Sequence, residues 1–99
     1  MITLVEFNNV GAITSEVPIS VDEMGVEYVI QAGKKGVSFQ NHSDVEVWYG
    51  NVDVAPKNFI GNKFFKDALL NYKGVRQTFS IFFKTLPGQS AMVGVVTHD

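Results

Sequence analysis

The sequence predicts an all-β chain, folded as a small antiparallel β-sandwich or partly open barrel. Three observations lead there. Apolar residues recur with a period close to two along most of the 99 residues. The apolar runs are rich in β-branched and aromatic residues. Between residues 26 and 49 the runs follow one another at about 10-residue spacings, cut by Gly, Asn, Ser and Asp clusters, as in a sandwich or small barrel.

The first strand is expected at Ile2–Phe7, ending at the turn-like Asn8-Asn9. Short strands follow at Ala12–Thr14 and Val17–Val21, and Pro18 restricts the latter to a sheet edge. Val26–Gln31 is next, closed by Ala32-Gly33-Lys34-Lys35-Gly36, which reads as a hydrophilic hairpin turn. Val37–Asn41 alternates Val37 and Phe39 with Ser38 and Gln40, and Asn41-His42-Ser43-Asp44 turns the chain because such side chains bond their own backbone. In Val45–Tyr49, Val45, Val47 and Tyr49 share one face while Glu46 and Trp48 take the other. Residues 26–49 therefore read as three antiparallel strands. In Val54–Gly74, Phe65, Ala68 and Leu69 would share a stripe of a short helical turn near 64–70. The preferred reading makes strands of Lys63–Phe65 and Leu69–Lys73 around a turn at Lys66-Asp67. Gln77–Lys84 is a strong strand with Phe79, Ile81 and Phe83 on one face and Phe82 on the other, and Leu86–Gln89 is a hairpin-type turn into the last strand, Ala91–Thr97.

Size allows one domain spanning residues 1–99. A chain of this mass folds to about 5,600 Å² of surface from roughly 15,800 Å² unfolded, enough for one core and no roomy internal active site. Apolar residues make up 45% and charged residues 18%, where about 25% charged is typical, so part of the apolar surplus is expected to contact other chains. No apolar run approaches the roughly 20 residues of a membrane span, and Met1–Glu6 carries no basic segment, which argues against a secretory signal. The absence of cysteine excludes a disulfide scaffold, a thiol nucleophile and a thiolate metal site, and fits assembly in a reducing compartment. A net charge of −2 gives no general attraction to nucleic acid or anionic lipid. The charges are nevertheless uneven. Residues 1–49 hold Lys34 and Lys35 against seven acids, and residues 50–99 hold six bases against Asp53, Asp67 and Asp99. Acidic and basic faces of neighbouring copies could meet in a repeating assembly, unless the fold interleaves the two halves.

Chemistry-bearing residues are sparse. His42 and Asp44 have an H-x-D spacing, but a metal would need further donors folded nearby, and a solvated turn is the simpler reading. His98 stands near the chain end, and Ser43 beside His42 lacks a convergent base and orienting carboxylate. Asp22 and Glu23 point apart in extended chain, so they make no acid–base pair. Gly33 and Gly36 with Lys34 and Lys35 lack the full phosphate-loop pattern. No enzyme, metal or cofactor is expected. The aromatics say more. Seven of the twelve lie after residue 50, interleaved with Lys63, Lys66, Lys73, Arg76 and Lys84. A groove for single-stranded nucleic acid uses that pairing, yet core plus interface is the stronger reading, because Phe82 makes its strand apolar on both faces.

Residues 37–54, reading VSFQNHSDVEVWYGNVDV, resemble a recurring pattern of small tailed-bacteriophage virion proteins. In that pattern a strand ends in Asn, then a polar turn leads to a V-x-V-x-x-G strand and an x-x-D-V loop. An aromatic-rich strand, a glycine turn and a final V-x-V strand follow, filled here by Phe79–Lys84, Pro87-Gly88 and Val93–Val96. The resemblance covers roughly residues 37–98 and departs at 61–74, where Phe64–Leu70 replaces a short glycine turn. It implies a non-enzymatic structural protein that decorates or stabilises the capsid, or sits at the neck and tail, in many copies. Partners would then be other virion proteins and copies of the chain, in virions assembled in the host cytoplasm, without membrane or nucleic-acid binding. Trp48, Phe64, Phe65 and Phe82 are the expected contact residues, since aromatics dominate interface hot spots. The alternative is a small binding module, either OB-like for single-stranded nucleic acid or a glycan-binding sandwich.

Overall fold

A computed structural model describes residues 1–5, 16–56 and 60–98. Their strands are β1 (Ile2–Val5), β2 (Val17–Asp22), β3 (Val26–Ile30), β4 (Gly36–Asn41), β5 (Val47–Gly50), β6 (Asn62–Phe64), β7 (Leu69–Lys73), β8 (Phe79–Thr85) and β9 (Ser90–His98). The strand expected at Ala12–Thr14 lies outside the described residues, and none of these forms an α-helix. Residues 64–70 follow the strand–turn–strand reading. Asp67 makes the turn in the left-handed region at φ 62°, which an Asp side chain tolerates.

The strands form two sheets, ordered β1-β3-β8-β5-β6 and β2-β9-β4-β7. Every pairing is antiparallel except β1 with β3. Leaving β1 aside, the orders β3-β8-β5-β6 and β2-β9-β4-β7 are those of an eight-stranded jelly roll built from two Greek keys. β2 lies at a sheet edge, where Pro18 removes no needed donor.

This topology corrects two expectations. The β3–β4 and β8–β9 connections are crossovers between sheets rather than hairpins, and β3, β4 and β5 are not three paired neighbours. The turn at 86–89 does form, with the Gln89 N–H donating to the Leu86 carbonyl at 3.2 Å and the Thr85 hydroxyl donating to the Gln89 carbonyl at 2.8 Å. Period-two alternation states which face of a strand is buried, not which strand lies beside it. Placing β8 and β9 in opposite sheets buries Ile81, Phe83, Val93 and Val95 just as fully.

The core is the space between the sheets. Phe39 of β4 sits at its centre, with ring centroids 5.2 Å from Tyr28 of β3 and 5.2 Å from Phe83 of β8, both across the interlayer gap. Phe64 stacks on Phe83 at 6.1 Å. Val21, Ile30, Val37, Val47 and Ile81 fill the same space with no exposure. The total surface is 5713 Å², near the size expected for this mass. Outside the sandwich, Val54 in the β5–β6 connection pegs between Gly50 and Gly61. A Cβ on Gly61 would lie 2.8 Å from Val54 Cγ1, and its φ of 122° suits glycine alone.

Replacing Phe39 with Ala should lower stability by about 3–5 kcal/mol in urea unfolding, because both sheets lose their shared contact. Burial pushes the Tyr72 phenol above its usual value of 10.0, with Tyr49 adding a smaller upward push. The folded state therefore keeps this proton longer than the unfolded chain, and stability present below about pH 10 falls as pH rises further. Urea midpoints taken across that range should drop more steeply for the native sequence than for Tyr72→Phe.

Candidate interaction surface

The turn between β6 and β7 is built on one buried side chain. Asn41, at the end of β4, is fully buried and reaches across the sandwich, its Nδ2 donating to the Phe64 carbonyl at 2.8 Å. The Asn41 carbonyl accepts from the Asp67 N–H at 2.7 Å, and Asn41 Oδ1 accepts from the Ser43 N–H at 2.9 Å. The Ala68 N–H closes the turn onto the Phe65 carbonyl at 3.0 Å. Pinned on both sides, the chain buries Phe64 and turns Phe65 outward, where it is 68% exposed.

Charged pairs surround Phe65. Lys66 Nζ lies 2.9 Å from Asp44, and Lys63 Nζ lies 3.6 Å from Glu46. The Asp44 carboxylate, hydrogen-bonded to Lys66, holds that ammonium above its ordinary pKa. Asp44, Val45, Glu46, Lys63, Phe65 and Lys66 border a shallow hollow of about 210 Å³. The pairs join acids of the first half to bases of the second, so the charge asymmetry along the chain is interleaved here. The same pairing occupies two of the bases that a nucleic-acid groove would need free.

The other expected contact residues lie elsewhere. Phe64 is 2% exposed and belongs to the core, because alternation in β6 points it inward while Lys63 points out. It is not available to a partner. Trp48, on the outer face of β5, is 5% exposed. Its indole N–H donates to Glu46 at 2.8 Å, Lys63 Nζ stands 5.8 Å from its ring, and it is registered between Lys63 and Lys84. Trp48 is thus roofed by polar side chains of its own chain rather than standing as an exposed anchor. Phe82 is half-buried on the same outer face, registered between Glu27 and Gly50. The four aromatics do not converge, and only Phe65 stands open to solvent.

Several features escaped sequence reading. Leu69 and Met92 are exposed, although period-two strands would allow each to face either way. His42 bonds Glu16 at 2.6 Å rather than sharing a site with Asp44, and Ser43 Oγ accepts the Met92 N–H at 2.7 Å. Asn41 was legible only as a turn residue, since nothing local signals a bond to a residue 23 positions away.

Compared with known proteins, the chain matches no family, no curated relative and no solved structure.

Asn41→Ala should cost about 1–3 kcal/mol in urea unfolding, since the buried Phe64 carbonyl loses its donor. In chain dilute enough to be monomeric, Phe65→Ala should stay within about 0.5 kcal/mol of the native sequence, since the exposed ring packs little against its own chain.

Proposed function

We propose that this chain is a non-enzymatic structural protein of a tailed-phage particle, bound in many copies to the capsid or the head–tail assembly. The observation that carries the reading is Phe65, an exposed aromatic held outward by a rigid turn and ringed by paired charges. That is the anatomy of a protein contact, an apolar anchor inside a polar rim. Two further points support it. The resemblance at residues 37–98 is to virion proteins, and the jelly-roll strand order is one that capsid proteins use, an argument by analogy of fold. Repetition around a particle makes each modest contact count through avidity.

The surface suits neighbours that are other virion proteins or further copies of this chain. Phe65 is the anchor, Lys63 and Lys66 with Glu46 and Asp44 set orientation, and Phe82 is a secondary contact. The alternative, a small binding module, loses ground for an OB-like groove because the described strands form a two-sheet sandwich rather than a five-stranded barrel.

Size exclusion with light scattering tests the reading. The purified chain should run as a trimer or larger ring, and Phe65→Ser should shift it toward monomer while leaving its far-ultraviolet circular dichroism unchanged. A monomer that retains full solubility at high concentration contradicts the multi-copy reading. A salt-sensitive rise in fluorescence anisotropy with single-stranded DNA would favour the binding module instead.

A further inference from the structure

The outer face of the β2-β9-β4-β7 sheet carries a second hollow, of about 400 Å³, near the start of β4. Two cross-strand rows build it. One is His98 on β9, Gly36 on β4 and Lys73 on β7, and the next is Val96, Ser38 and Asn71. Gly36 is buried in the middle of the first row and adds no side chain to it. A Cβ there would sit 3.6 Å from the His98 ring and 3.1 Å from the Tyr72 carbonyl. Lys35, just before β4, is fixed at the edge by its backbone, its N–H donating to the His98 carbonyl at 2.9 Å and its carbonyl accepting from the Gly74 N–H at 2.9 Å.

The chemistry of the lining is one-sided. Lys35 and Lys73 supply ammonium groups, and no acid lines the hollow among the described residues. Lys63, Lys66 and Lys84 each pair with a carboxylate, whereas Lys35 and Lys73 have no ion pair among the described residues. The Ser38 hydroxyl donates to Asn71 Oδ1 at 2.6 Å, which occupies the acceptor of that amide and leaves its NH₂ to donate. The Tyr72 ring packs inward on Phe39 and Phe79, at 6.2 and 5.4 Å.

We propose that this hollow binds a tetrahedral oxyanion, a phosphate or sulfate group, between Lys35 and Lys73, with the Asn71 amide and His98 as further donors. Two ammonium groups with no ion pair among the described residues and an amide donor line one hollow, and together they match an acceptor-only ligand with several oxygens.

Amide-resolved NMR titration at constant ionic strength tests it, with sodium phosphate, sodium sulfate and glucose 6-phosphate as probes. Saturable shifts are expected at Gly36, Ser38, Asn71, Lys73 and His98. The Lys35→Ala, Lys73→Ala double variant should bind at least about tenfold more weakly with an unchanged urea midpoint. Tighter binding of glucose 6-phosphate than of phosphate assigns a sugar-borne ester as the ligand, and equal binding assigns the free anion. Shifts that drift without saturating overturn the proposal, as does saturation that the double variant leaves intact.

Discussion

The structure depends on the stacking of two inner faces whose strands are almost never sequence neighbours. Among the described strands, only β5 and β6 are adjacent both along the chain and within a sheet. Every other strand finds its hydrogen-bonding partner after the chain has crossed to the opposite layer. Local hairpins therefore cannot hold the fold together step by step. The sheets are kept in place by what lies between them, chiefly Phe39 against Tyr28 and Phe83, and by the Asn41 bond that ties the end of β4 to β6. Such non-local wiring must close long loops before contacts reward it, which is the condition for slow folding.

The same wiring sets what the surface can offer. Because both sheets spend their inner faces on one core, function is left to the outer faces and to the turns. The outer face of the β1-β3-β8-β5-β6 sheet is largely self-satisfied. Trp48 lies under Lys63 and beside Glu46, and Glu27 accepts from Ser80 at 2.7 Å and from Thr3 at 3.3 Å. The β6–β7 turn is different, since the clamp that makes it rigid also directs Phe65 away from the core. An anchor already ordered before contact loses little entropy on binding, which favours it over a mobile loop. On the second sheet, Glu16 lies across Gly94 to meet His42, so that end is covered, while Lys35 and Lys73 line the hollow at the Gly36 end.

Much of the architecture was legible in the sequence, because a period of two survives any choice of partner. The strands at Val26–Ile30, Gly36–Asn41 and Phe79–Thr85, the edge position of Pro18 and the turn at Lys66-Asp67 all follow from side-chain alternation and turn chemistry. Partnering did not follow. The same alternation at β8 and β9 serves a hairpin or two facing layers, and only burial of both inner faces decides between them. The interaction surface was half legible for the same reason. Phe64 and Phe65 are adjacent aromatics, and which one enters the core depends on the register of β6 with β5, where Phe64 pairs with Val47. Trp48 falls on the expected outer face, but its cover comes from Lys63, a residue on another strand.

Cross-strand nuclear Overhauser effects test the central claim most directly, since they report which backbones are neighbours. The jelly-roll order predicts proximity of Ser20 to Met92 and of Phe39 to Val95 within one sheet, and of Tyr28 to Ile81 within the other. A regular ladder of contacts between Phe79–Thr85 and Ser90–His98, as in a hairpin, would contradict it.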